Sequence, residues 1–189
     1  VSIDSYDLLD KAEIVEKLPQ LHVSQMSGAS ADDLYVSSKI PFGFNYVDQD
    51  LDLEHVNDQE GEHGSHVAGI AAANRYLNDN GTFTSALDSV HMVGNAPDAQ
   101  VLVMKVFGKG GGAYTDDYMA AIEDAIILGC DTVNLSLGSS VAGMAYDSAF
   151  SGMLESMSSS GTVVTISAGN NGAWSENTAG GALYSDDVN

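Results

Sequence analysis

Glu62-His63-Gly64-Ser65-His66-Val67-Ala68-Gly69-Ile70 is the stretch around which the rest of the chain is organised. Two histidines three apart stand at the mouth of a small, apolar run, Val67 to Ala73, with the composition of a buried helix. Residues i and i+3 share a helix face, so His63 and His66 can point the same way. Gly64 and Ser65 between them let another backbone or a substrate approach closely. Three readings fit: a metal pair, a catalytic base at a helix N-terminus, or two packed core histidines. Metal fits least, because the zinc pattern H-E-x-x-H sets its ligands four apart with a glutamate between them. Neither feature is present.

Working outward, the elements alternate. Upstream, the apolar spacing of Leu8, Leu9, Ile14 and Leu18 predicts a helix over residues 7–18, stopped by Pro19. Residues 24–33 read as a loop, Phe42 to Val47 as a strand, and the acidic residues 48–62 as a loop into the histidine stretch. The histidine helix is expected to run to about Tyr76, followed by a Gly/Asn/Asp-rich connection over 77–95. Val101 to Val106 is an apolar run of buried-strand type. Residues 115–128 form a helix, with Thr115 as cap, Asp116 and Asp117 suited to its dipole, and Gly129 as its stop. Strands over 132–137 and 162–167 flank a helix over 145–159, and residues 173–189 are polar and aperiodic. Such alternation means βαβ units and a parallel sheet, which places ligands at the carboxyl ends of its strands. The glycine-containing loops 108–112, 138–140 and 168–172 all follow strands, on one sheet edge.

The 189 residues suffice for one domain with a core. Against 27 acidic side chains there are 6 basic ones. That balance excludes a nucleic-acid partner and disfavours an anionic membrane, because phosphate binding needs a basic face. No apolar run is long enough to span a membrane. No basic-then-apolar leader occurs at the start, which we read as the mark of a processed piece rather than of a cytosolic protein. Cys130, the single cysteine, has no intrachain partner and reads as a buried thiol.

The histidine stretch resembles the H-G-[ST]-H-V-A-G motif of the subtilisin-like serine proteases, matching seven positions in order. There the first histidine is the general base, so the resemblance assigns His63 that role and leaves His66 structural. Two further segments follow in the family's order. Val133-Asn134-Leu135-Ser136-Leu137-Gly138 is similar to a strand whose Ser-Leu-Gly, here Ser136, Leu137 and Gly138, lines one side of the substrate. Ser167-Ala168-Gly169-Asn170 is similar to the segment carrying the oxyanion asparagine, which places Asn170 as a neutral donor to the tetrahedral intermediate. Gly108 to Ala113 fits the G-x-G-x-x-A dinucleotide pattern, but the acidic residue that should end the next strand is absent. In the resembling family this loop is a substrate-binding edge, G-x-G-x-Y, matched by Gly110, Gly112 and Tyr114 around Gly111. Glycine there leaves backbone groups free to pair with an extended peptide.

The resemblance covers about residues 36–172 and implies one partial peptidase domain over 1–189. The fold it implies is α/β: a parallel-sheet, three-layer subtilisin-like fold, incomplete in this piece. The serine string G-T-S-[MA]-A is absent, and the aspartate string D-[ST]-G has only Asp4-Ser5-Tyr6 as its nearest approach. The implied activity is hydrolysis of protein or peptide substrates by an intact parent, with the piece alone inactive. A non-catalytic module for adhesion or partner binding is the alternative. The run Lys39-Ile40-Pro41-Phe42-Gly43-Phe44-Asn45-Tyr46 looks most like the large cell-envelope proteinases of Gram-positive bacteria, the C5a peptidase and lactocepin group. This implies a secreted or cell-envelope location. The chemistry requires no cofactor; structural calcium is compatible with the family, although residues 77–95 do not match its ligand strings. Self-association is expected of the piece alone.

Overall fold

A computed structural model of the chain describes residues 8–56, 58–89, 92–137 and 148–167. The chain divides into two compact units, Val1–Ala121 and Ile122–Asn189. Each is α/β and holds one parallel strand pair.

In the first unit, α1 (Lys11–Lys17) begins at a reciprocal cap. Asp10 accepts from the Glu13 backbone N–H at 2.9 Å, and Glu13 accepts from that of Asp10 at 3.0 Å. Pro19 falls in the 3-10 turn Leu18–Gln20 that ends it. Residues expected to be a loop instead form two short helices, α2 (Val23–Met26) and α3 (Ala31–Leu34). The second starts at a Ser30/Asp33 capping box that is legible in the sequence. These helices bury Ile14, Val23 and Leu34 completely, and all four residues of β1 (Phe42–Asn45) are buried. Phe44 and Tyr46 meet edge to face, with centroids 5.1 Å apart.

β1 pairs in parallel with β4 (Leu102–Lys105), Phe42 opposite Leu102 and Asn45 opposite Lys105. Between them in sequence come α4 (His63–Ala72) and an antiparallel hairpin, β2 (Tyr76–Asp79) with β3 (Thr82–Ser85). The helix is shorter than expected, and the connection after it contains a hairpin. Asn80 and Gly81 both have positive φ, 48° and 89°, the backbone of a two-residue hairpin turn. Asn-Gly is the sequence signal for that turn. Helix α4 ends because residues 94–96 take over its last carbonyls: Asn95 N–H donates to Ile70, Ala96 to Ala71 and Gly94 to Ala73. Nor is α4 the buried helix its composition suggested, since only Ala72 is buried and Ile70 is 56% exposed.

Helix α5 (Thr115–Leu128) matches its predicted span and crosses the line between the units. It stops at Gly129, whose φ is +87°. The second unit continues as a βαβ motif: β5 (Thr132–Leu135), α6 (Ser148–Ser160) and β6 (Val163–Ile166), with Thr132 opposite Val163 in parallel register. Leu135, Met153 and Met157 are among its buried side chains.

Two glycines should respond in opposite directions. A Cβ on Gly94 would lie 2.2 Å from the Ala73 nitrogen, against backbone that is closing α4. Gly94→Ala should therefore destabilise the chain by at least about 2 kcal/mol in urea unfolding. Gly152 lies inside α6 with open space around it, so Gly152→Ala should stabilise by roughly 0.5–1 kcal/mol.

Candidate active site

At the carboxyl ends of β1 and β4 the backbone turns into an acidic loop, and the loop is held by three side chains of opposite character. Asn45 is fully buried, and its amide donates to Asp48 Oδ2 at 3.0 Å, Asp50 Oδ1 at 3.1 Å and the Asp52 carbonyl at 3.4 Å. Lys105, opposite it in the register, sends its ammonium to the carbonyls of Asp52 (3.2 Å) and Glu54 (2.8 Å). It also pairs with Asp58 at 2.6 Å, the two side chains being 10% and 7% exposed. Lys109 approaches Asp50 and Asp52 at 3.6 and 3.7 Å, and its backbone N–H donates to Asp48.

These contacts move the local titrations. The Asn45 amide, followed by the Lys109 backbone N–H and the two lysine charges, lowers the Asp48 carboxyl below its usual range, against a smaller opposing effect of burial. The Asp50 carboxylate, helped by Asp52 and Asp48, raises the Lys109 ammonium.

The loop delivers His63 through a turn. Asp58 N–H donates to the His55 carbonyl, and Gly61 N–H donates to the Asp58 carbonyl. Gly61 has φ +57°, and Glu62 then stands at the N-cap of α4 without a side-chain cap. His63 is the first residue of the helix and lies exposed. His66 does not have the buried surroundings of a structural histidine: its side chain is 68% exposed, with Glu62 Oε1 3.9 Å away. Ser65 Oγ is 3.4 Å from His55 Nδ1.

The glycine loop lies against the same turn. Gly111 N–H donates to the Gly108 carbonyl, and Gly111 has φ +70°. A Cβ on Gly111 would fall 2.9 Å from Gln59, and one on Gly108 would fall 2.7 Å from Asp48 Oδ2. Gly111 therefore needs glycine for closeness as well as for its positive φ, and Gly108 for closeness alone. Gly110 has open space around it, and Tyr114 beyond Gly112 is 62% exposed. Within the first unit, the predicted substrate edge and the turn into His63 are thus in direct contact.

The second unit brings together two other predicted segments. Ser167 N–H donates to the Leu135 carbonyl, and Ser167 Oγ to that of Leu137 at 2.9 Å. Asn134 donates to Ser136 Oγ at 2.8 Å. Parallel pairing thus sets Ser136, Leu137 and Ser167 at the same carboxyl edge. Gly138, Ala168, Gly169 and Asn170 lie outside the described residues, as does Asp4. No group of three or more metal-ligating side chains occurs among the described residues.

A family model, "Subtilase family" (peptidase S8), matches residues 27–187. The chain belongs to the subtilases. Its relatives include the PI-type proteinase of Lactococcus lactis subsp. cremoris, 36% identical over 167 residues, which are 87% of this chain and 8% of that protein. The minor extracellular protease Vpr of Bacillus subtilis is 38% identical over 135 residues, 69% of this chain and 15% of Vpr. The C5a peptidase of Streptococcus pyogenes is 34% identical over 113 residues, 59% of this chain and 8% of that enzyme. This subtilase chain therefore spans only a small part of the relatives it matches. The resemblance to the group of C5a peptidase and lactococcal proteinases, read from residues 39–46, agrees with those matches.

Missing from the sequence reading were Asn45, Asp58 and Lys105. A lysine inside the apolar run Val101–Val106 was the available signal, because a charge buried in a strand requires partners. Asn45→Ala would remove two charge-assisted hydrogen bonds made by a buried amide, and should cost the subtilase chain about 2–3 kcal/mol in urea unfolding. The depressed Asp48 contributes stability that is present above the ordinary aspartate range and lost as pH falls through its lowered pKa. The raised Lys109 contributes stability present below the ordinary lysine range and lost as pH climbs through its raised pKa. Unfolding free energy followed against pH should therefore weaken below about 4 and above about 10, and the acid limb should shrink in Asn45→Ala.

Proposed function

We propose that the chain is the central part of the catalytic domain of a secreted or cell-envelope subtilisin-like serine endopeptidase, which hydrolyses peptide bonds by acyl transfer. The observation that carries this reading is the subtilase match across residues 27–187, with the histidine motif opening α4 beside the glycine loop. His63 takes the proton of the serine nucleophile and returns it to the leaving amine. Asn170 donates to the oxyanion. The peptide lies as an added strand between Gly110–Gly112 with Tyr114 and the Ser136–Gly138 segment, next to Ser167, Ala168 and Gly169. The chemistry uses no cofactor. The extracellular placement is supported by the name of one relative, the minor extracellular protease Vpr.

The serine and aspartate strings are absent from these residues, so we assign them to other parts of the parent protein. We likewise propose that the parallel pairs belong to a three-layer sheet completed by such parts. The exposed apolar residues of α4 support that reading, since a small-residue helix of this kind is built to be covered. The absence of those strings is also what would favour a non-catalytic subtilase module.

His63→Ala in the full-length enzyme should abolish turnover of a chromogenic peptide by at least about a thousandfold while changing peptide affinity little. In the 189-residue chain His66→Ala should stay within about 0.5 kcal/mol in stability, as exposed positions do. The 189-residue chain by itself should be inert on casein and should associate in light scattering. Serine-inhibitor-sensitive cleavage by a monodisperse monomer of this chain would refute the assignment of the nucleophile elsewhere.

A further inference from the structure

Lys105 differs in burial from the other cations that pair with carboxylates among the described residues. The ion pairs Lys11–Asp32 and Arg75–Asp98 leave both side chains at least 47% exposed, and Lys109 is 51% exposed. Lys105 and Asp58 are 10% and 7% exposed, and the remaining donors of the ammonium go to the Asp52 and Glu54 carbonyls. All three donors of an ammonium are therefore used, on three points of one loop.

The third point matters most. Asp58 opens the turn that Gly61 closes, and α4 starts with His63 directly after it. Gln59 and Glu60 of the same turn are the residues against which Gly111 is packed. Lys105 itself ends β4, four residues before the glycine-loop segment Lys109–Gly112. One side chain rooted in the sheet therefore holds the turn from which the histidine helix starts and against which the glycine loop rests.

We propose that Lys105 is a positioning residue for catalysis: through Asp58 it sets His63 and the glycine loop in a common register. This rests on the reading of His63 as the general base. A base displaced by an ångström loses its grip on the nucleophile's proton, whereas backbone pairing with the peptide tolerates more. The signature is thus a loss of kcat with KM nearly kept.

The test uses the full-length enzyme, with active sites counted by burst titration so that unfolded molecules do not enter the rate. Lys105→Met should lower kcat per active site at least tenfold on a short peptide anilide, with KM within threefold. Lys105→Arg, which keeps the charge and reaches Asp58 with a forked group, should recover kcat to within about threefold of the parent enzyme. Asp58→Asn should fall between the two. If Lys105→Met fails to fold, Lys105→Arg and Asp58→Asn carry the test, and a graded fall in kcat at constant KM supports the proposal. An unchanged kcat per active site in every folded variant, with only the melting temperature lowered, overturns it and leaves Lys105 as a structural ion pair. Full activity in His63→Ala would overturn the underlying reading of the base instead, whatever the Lys105 variants show.

Discussion

A loop that carries seven carboxylates between Asp48 and Glu62 repels itself, and the first unit depends on how that repulsion is met. The answer is a neutral amide and an ammonium at opposed positions of a parallel strand pair. Asn45 gathers Asp48, Asp50 and the Asp52 carbonyl, and Lys105 gathers the Asp52 and Glu54 carbonyls with the Asp58 carboxylate. Both anchors sit where the strands end, so the loop leaves the sheet already shaped. Breaking one partner of so buried a pair strands the other, a penalty of about 3–5 kcal/mol. Surface pairs such as Lys11–Asp32 are worth far less, because water screens them.

The same accounting explains the lopsided charge. The few cations are not spread as a face. Lys11 meets Asp32 and lies 5.0 Å from the centroid of the Tyr35 ring, Lys39 donates to the carbonyls of Pro97 and Ala99, and Arg75 meets Asp98. Lys105 and Lys109 serve the acidic loop. Five of the six lysines and arginines are thus engaged locally. What the chain offers at the strand ends is glycine backbone, pressed against the turn that leads to His63.

The legible elements were those whose signals are local. The span of α5 followed from Thr115, the paired aspartates and Gly129, all within one helix length. β4, β5 and β6 followed from short apolar runs, although each is shorter than its run. The hairpin after α4 was missed despite its Asn80-Gly81 turn, because its strands are mostly exposed and carry little apolar alternation. The short helices α2 and α3 were missed because their polar composition resembles a loop, while the burial of Val23, Ala31 and Leu34 that sustains them depends on distant packing. The end of α4 was misplaced for a related reason. Its carbonyls are taken by Asn95 and Ala96, some twenty-five residues away.

Sequence by itself determined the family, the α/β class and the ordering of the motifs around His63, since seven consecutive matches and strand-helix alternation are written in adjacent residues. Tertiary structure decided which side chains hold the site in place. The tie of Lys105 to the Asp52 carbonyl joins residues 53 apart. No periodicity or cap encodes such a tie, because its energy exists only once β1 and β4 have paired and water has been driven from between them. The parallel register that sets Asn45 opposite Lys105 turns an acidic loop into a defined entrance to the histidine helix.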